Sequence, residues 1–87
     1  AAPVASALEA LAAPYRIRSH VGAAEIDEVV VRLCAIAPLS AADLAGLIGR
    51  GRDHTHVILR RLLATGRLAP VHPEPTHPRQ RYRTPDP

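Results

Sequence analysis

The chain has 87 residues, 47% of them apolar but only 2% aromatic, and a formal net charge of +3. This is one small domain's worth of sequence, and with no Phe, Trp or Met its core has to come from Leu, Ile, Val and Ala. No run approaches the ~20 apolar residues of a membrane-spanning helix, and the lone Cys34 excludes an internal disulfide, which points to a reducing, cytoplasmic setting.

All eleven basic side chains are arginine, planar forks suited to phosphates and guanine edges. Residues 1–43 carry a net charge of −2 and residues 44–87 one of +5. A basic half on a near-neutral scaffold is the electrostatic outline of a nucleic-acid binder.

In chain order, Val4, Leu8 and Leu11 have helical spacing, with Pro3 in a tolerated first-turn position and Pro14 as the expected stop. The opening lacks the basic start of a signal peptide, and without an initiator Met it reads as a piece of a longer protein. Residues 1–23 are accordingly expected to be an extension or linker. "YRIRS" (15–19) alternates Tyr15, Ile17 and Ser19 with Arg16 and Arg18, a short strand pattern.

From Ala24 to Ala37, Ile26, Val29, Val30, Leu33 and Ala37 form one helical stripe, with Asp27, Glu28 and Arg32 mostly off it and Pro38 as the stop. In "PLSAADLAGLIG", Ser40 and Asp43 signal a helix start and Gly49 a left-handed end. A helix over 41–48 follows, with Leu44, Leu47 and Ile48 on its apolar face. Another is predicted over 53–65, capped by Asp53 and closed by Gly66. Its inner side holds Thr55, Ile58, Leu59, Leu62 and Leu63. The outer side holds Asp53, His54, Val57, Arg60, Arg61 and Ala64, with His56 at the margin. Two short helices joined by a tight glycine-containing turn, the second with a basic outer face, match a helix-turn-helix.

Residues 67–84 read as a hairpin. Its first arm runs from Arg67 to His72, with Leu68 and Val71 reaching the core; a tip spans 73–78, and a second arm runs from Arg79 to Thr84. Pro70 lacks a ladder donor and marks an edge strand. In the second arm Gln80, Tyr82 and Thr84 share one face, and Arg79, Arg81 and Arg83 share the other. A hairpin after a helix-turn-helix is a wing. The expected fold is therefore α+β, a winged helix-turn-helix over 24–84 with a three-helix core and a hairpin wing, preceded by an extra N-terminal helix or fragment end and followed by a short tail at 85–87.

Residues 38–84 resemble the winged-helix unit at the C-terminus of RecG-like ATP-binding proteins (those with a divergent AAA or Schlafen-like ATPase part). Similar units are appended to Fic-type proteins. The shared elements are "PLS-x-x-[DE]-LA-x-L-x-GR" at 38–50, "L-x-x-L-x-x-x-G-x-L" at 59–68, and the ending "HP-x-Q-x-Y" at His77, Pro78, Gln80 and Tyr82. The helical elements are common to many winged helices, and the ending is the more particular part. The resemblance implies a DNA-binding or DNA-positioning accessory of a bacterial protein, with the remainder of the parent chain as a partner. It carries over no catalytic residue.

The expected DNA contacts are Arg50, Arg52, His54, His56, Val57, Arg60, Arg61, Arg79, Arg81 and Arg83. The 53–65 helix would lie in the major groove with the wing on phosphates. Arg60 and Arg61 are expected to matter most, and about six arginines on phosphates imply a logarithmic salt slope near −5. For the wing arginines a second role is to keep an edge strand from pairing with other chains. The alternative reading is a winged helix that docks a protein partner or its parent ATPase, which Val57 and Ala64 among the arginines would suit.

No cofactor or metal is expected. His54 and His56 stand about 200° apart on a helix, and Cys34 offers no evident fourth ligand beside His72 and His77. A thiol held in an apolar helix is inert as a nucleophile, and "GRGRD" is no phosphate loop. No enzyme activity is expected of these residues.

Overall fold

Four helices and a small antiparallel sheet follow from these patterns in an α+β architecture, described by a computed structural model for residues 3–18 and 20–85. The helices are α1 (Pro3–Arg16), α2 (Ala23–Ile36), α3 (Ala41–Ile48) and α4 (Arg52–Ala64); the strands are β1 (Ala69–Pro70) and β2 (Tyr82–Arg83).

The strongest local signals act where the sequence places them. Ser40 and Asp43 close a capping box on α3: the Asp43 N–H donates to Ser40 Oγ at 3.1 Å, and the Ser40 N–H donates to the Asp43 carboxylate at 3.3 Å. Gly49 ends α3 at φ 65°, the left-handed region that favours glycine. A Cβ there would stand 2.7 Å from Arg16 Cγ, so glycine also admits the end of α1 against the end of α3.

Pro14 does not stop α1, which continues to Arg16. A proline costs a helix one hydrogen bond and crowds the preceding turn. Here tertiary contacts hold the last turn in place: Tyr15 packs on the core, and Arg16 grips Glu9 and donates to the Leu47 carbonyl. The expected strand at 15–19 is therefore absent over its described part. Tyr15 and Arg16 are helical, Ile17 is 82% exposed, and Ser19 lies outside the described residues. The stretch expected as an extension or linker thus carries a helix that packs on α2 and α3 and buries Ala12 completely.

The core is aliphatic throughout. Val29, Val30 and Leu33 of α2 meet Leu44 and Ile48 of α3 and Ile58, Leu59 and Leu62 of α4, all at most 2% exposed. Burying each such side chain contributes about 1.5–3 kcal/mol. Cys34 is buried with them. The buried side of α2 is wider than its apolar stripe and takes in Asp27, expected off it.

α4 begins one residue earlier than expected. Its N-cap is Gly51, which makes no side-chain cap bond; Asp53 instead sits in the first turn, where the helix dipole favours an acid. Thr55, buried inward, returns its hydroxyl to the Gly51 carbonyl at 2.9 Å.

Pairing in the sheet is shorter than the predicted arms. Ala69 pairs with Arg83 and Pro70 with Tyr82, and on its other side Tyr82 exchanges two backbone hydrogen bonds with Leu39, at 2.8 and 3.0 Å. Pro70 occupies the edge, and its missing N–H costs no ladder bond because Val71 donates to Arg81 at 2.8 Å instead. Leu68 is buried as its spacing predicts, whereas Val71, expected to reach the core, is 40% exposed because the chain turns outward after Pro70.

Candidate nucleic-acid interface

The eleven arginines divide by what they touch. Arg16 pairs with Glu9, Arg18 with Glu25, and both Arg32 and Arg67 with Glu28. The Glu28 carboxyl is held below its ordinary range, chiefly by Arg67. Arg61 points inward: its Nε and Nη2 donate to the two carboxylate oxygens of Asp27 at 2.8 and 2.6 Å. The Asp27 side chain is 13% exposed, and its hydrogen bonds raise the Arg61 pKa further. Arg50 donates to the Ile48 carbonyl at 2.9 Å and reaches those of Tyr15 and Arg18 at 3.5 Å, tying the end of α3 to the end of α1.

Five arginines remain. Arg52, Arg60, Arg79 and Arg81 are exposed and have no acidic side chain within pairing distance among the described residues. Arg83 is half-buried in β2 and interacts with the protein around it. Of the three arginines expected to share one face of the second arm, Arg79 and Arg81 are thus presented to solvent.

Helix geometry places the free cations. Arg52, His56 and Arg60 are four apart in α4, so each is rotated only about 40° from the last and they share a side. Arg52 and His56 line an open cleft of about 720 Å³ together with Ala41 and Ala45 of α3 and the Pro75–Pro78 loop. Around the start of α3, beside Ser40 and Asp43, a second hollow is lined by Arg79 and Arg81. Arg52, Arg79 and Arg81 therefore stand around the N-terminal end of α3, whereas Arg60 lines neither hollow.

On the outer side of α4, His54 and Arg60 are exposed and Val57 is 44% exposed. Asp53 is exposed in the same helix's first turn. His54, Val57 and Arg60 thus stand on the outer side where the sequence puts them, whereas Arg50 and Arg61 are committed to contacts within the fold and Arg83 is half-buried and also interacts there.

The loop that carries Arg79 and Arg81 is held by a residue with no expected role there. Gln80 accepts from the His72 N–H at 2.9 Å and donates to the carbonyls of His72 and Glu74 at 2.7 and 3.0 Å. His77 stacks on His72 with ring centroids 3.8 Å apart, and its Nδ1 accepts the Arg79 N–H at 3.0 Å. Each residue of the "HP-x-Q-x-Y" ending thereby has a physical task. His77 and Gln80 fold the tip, Pro78 rigidifies it, and Tyr82 anchors the strand to Leu39. The signal available in sequence was Gln80 itself, a side chain able to replace the donors that Pro70, Pro73, Pro75 and Pro78 lack.

Among the described residues no group of three or more His, Cys, Asp or Glu side chains converges to hold a metal ion, and no helix is long and apolar enough to cross a membrane. Comparisons with protein-family models, with curated proteins and with solved structures find no match to this chain.

Proposed function

We propose that this chain is a winged helix-turn-helix unit that binds duplex DNA, with α4 in the major groove and the β1–β2 hairpin as the wing. It serves as a cytoplasmic accessory of a larger bacterial protein and catalyses nothing itself. The parent protein is of the RecG-like or Fic-appended kind that residues 38–84 resemble.

The observation that carries the reading is the division of the arginines. Among the described residues Arg52 and Arg60 on α4 and Arg79 and Arg81 on the loop are exposed without an acidic partner, and Arg52, Arg79 and Arg81 line the hollows beside the start of α3. That disposition matches phosphates on two sides of a groove-bound helix. Further support comes from the three-residue link between α3 and α4 and from Leu39, which joins the hairpin as a third extended segment. On this reading Arg52, Arg79 and Arg81 hold phosphates, while His54, Val57 and Arg60 face base edges. Titration of a labelled duplex at several salt concentrations tests it directly.

A further inference from the structure

Val57 is the only large apolar side chain of α4 that is exposed, at 44%. It stands on the outer side between His54, one turn before it, and Arg60, one turn after it. Asp53 lies in the turn before, and Ala64 lies almost two turns after it on the same side. Side chains three apart on a helix are about 4.5 Å apart along its axis, close to the ~3.4 Å rise of a base pair. A ridge of this kind addresses neighbouring base pairs.

The chemistry of the ridge is specific. In the major groove the one apolar feature that distinguishes a base is the C5-methyl of thymine, while guanine offers O6 and N7 to an arginine fork. A β-branched side chain suits such a contact because its few rotamers leave little entropy to lose. Arg60 is free to fork onto guanine because, unlike Arg61, it has no carboxylate partner among the described residues. We infer that Val57 is a specificity-determining residue that packs on the 5-methyl group of a pyrimidine, beside a guanine read by Arg60. The inference rests on the proposed placement of α4 in the major groove. It extends to 5-methylcytosine, which presents the same methyl group in the same groove.

A selection from a random 20-base-pair duplex library, followed by single-position substitution in the enriched duplex, tests it. Deoxyuridine in place of thymidine removes only the methyl group. At one thymine beside a guanine this exchange should weaken binding about fourfold, the value of one buried methyl. The same exchange should change the binding of Val57→Ala by less than about 1.5-fold. Val57 is exposed and alanine favours helix, so the variant keeps the fold, which circular dichroism verifies. Equal sensitivity of wild type and Val57→Ala, or insensitivity of both, overturns the inference while DNA binding itself stands. If no duplex is retained even at low salt, the inference and the DNA reading fall together. Val57 then belongs to a protein-docking surface.

Discussion

Arg61 of α4 closes a bidentate ion pair on Asp27 of α2, through N–O distances of 2.8 and 2.6 Å. The pair sits at the edge of the core, with the Asp27 side chain nearly buried and the Arg61 side chain 39% exposed. It divides two adjacent arginines into different jobs, since Arg60, about 100° around the helix, faces outward.

The two halves of this pair are not equivalent. Arg61→Ala leaves a nearly buried carboxylate without its partner, whereas Asp27→Ala leaves a guanidinium that swings into water. Denaturant unfolding should show Arg61→Ala destabilised by about 2–3 kcal/mol and Asp27→Ala by about 1 kcal/mol less. The same order should not hold for DNA. Arg60→Ala should lose severalfold in affinity, while Arg61→Ala, assayed well below its melting temperature, should lose less than about twofold. Equal losses would return Arg61 to the interface.

Gly49 meets two demands at once, a φ of 65° and a close approach by Arg16. Gly49→Ala should cost about 1–3 kcal/mol from backbone strain, with further loss as the Arg16 side chain gives way. Gly66, at φ 76°, has open space around its Cα, so Gly66→Ala should cost only the strain. Thermal melts of the two variants, compared side by side, measure the difference.

Burial in the core pushes the Cys34 thiol up to about 12. In the unfolded chain it titrates near about 8.5, so the folded state holds the proton more tightly there. The contribution is complete below about pH 8.5 and is lost as pH rises from there toward 12. The half-buried Tyr82 phenol, also raised by burial, adds a loss of the same sign at higher pH. The melting temperature should therefore fall on the alkaline side, less steeply in Cys34→Ala. Folded protein should resist a thiol reagent that reacts promptly once denaturant is added.

Gln80 bonds the backbone on both sides of the hairpin tip, its side-chain oxygen accepting from the His72 N–H and, at 3.2 Å, from the Arg81 N–H. Gln80→Ala should leave the helices intact and cost little global stability, because the tip lies outside the core. It should release the amides of His72 and Arg81 to fast hydrogen exchange and expose residues 73–79 to proteolysis. Unchanged protection of those amides would show that the prolines alone hold the tip. Arg79 and Arg81 ride on this loop, so looser loop geometry should also weaken DNA binding.

Much of this was legible in the residues. Ser40, Asp43 and Gly49 delimit α3 through local bonds that a sequence displays, and the inward set Thr55, Ile58, Leu59 and Leu62 follows from helical periodicity. Tertiary partners were not legible. Asp27 sits about 100° from Ile26, at the margin of its stripe, and its partner Arg61, contributed by α4, could not be read from that spacing. The continuation of α1 through Pro14 likewise depends on contacts with α3 made more than thirty residues away. The hairpin tip escaped a period-two reading because a side-chain amide there replaces strand pairing.

Arg52, Arg79 and Arg81, which have no acidic partner among the described residues, are the proposed phosphate contacts, and the salt dependence of duplex binding tests them directly. With Arg52, Arg79 and Arg81 on phosphates, rather than the six arginines counted from sequence, log K against log salt for a labelled 20-base-pair duplex should have a slope near −2.7. Each single charge removal at Arg52, Arg79 or Arg81 should flatten it by about 0.9. A salt-independent interaction, or none at low salt, would contradict the account and make these arginines solvated surface.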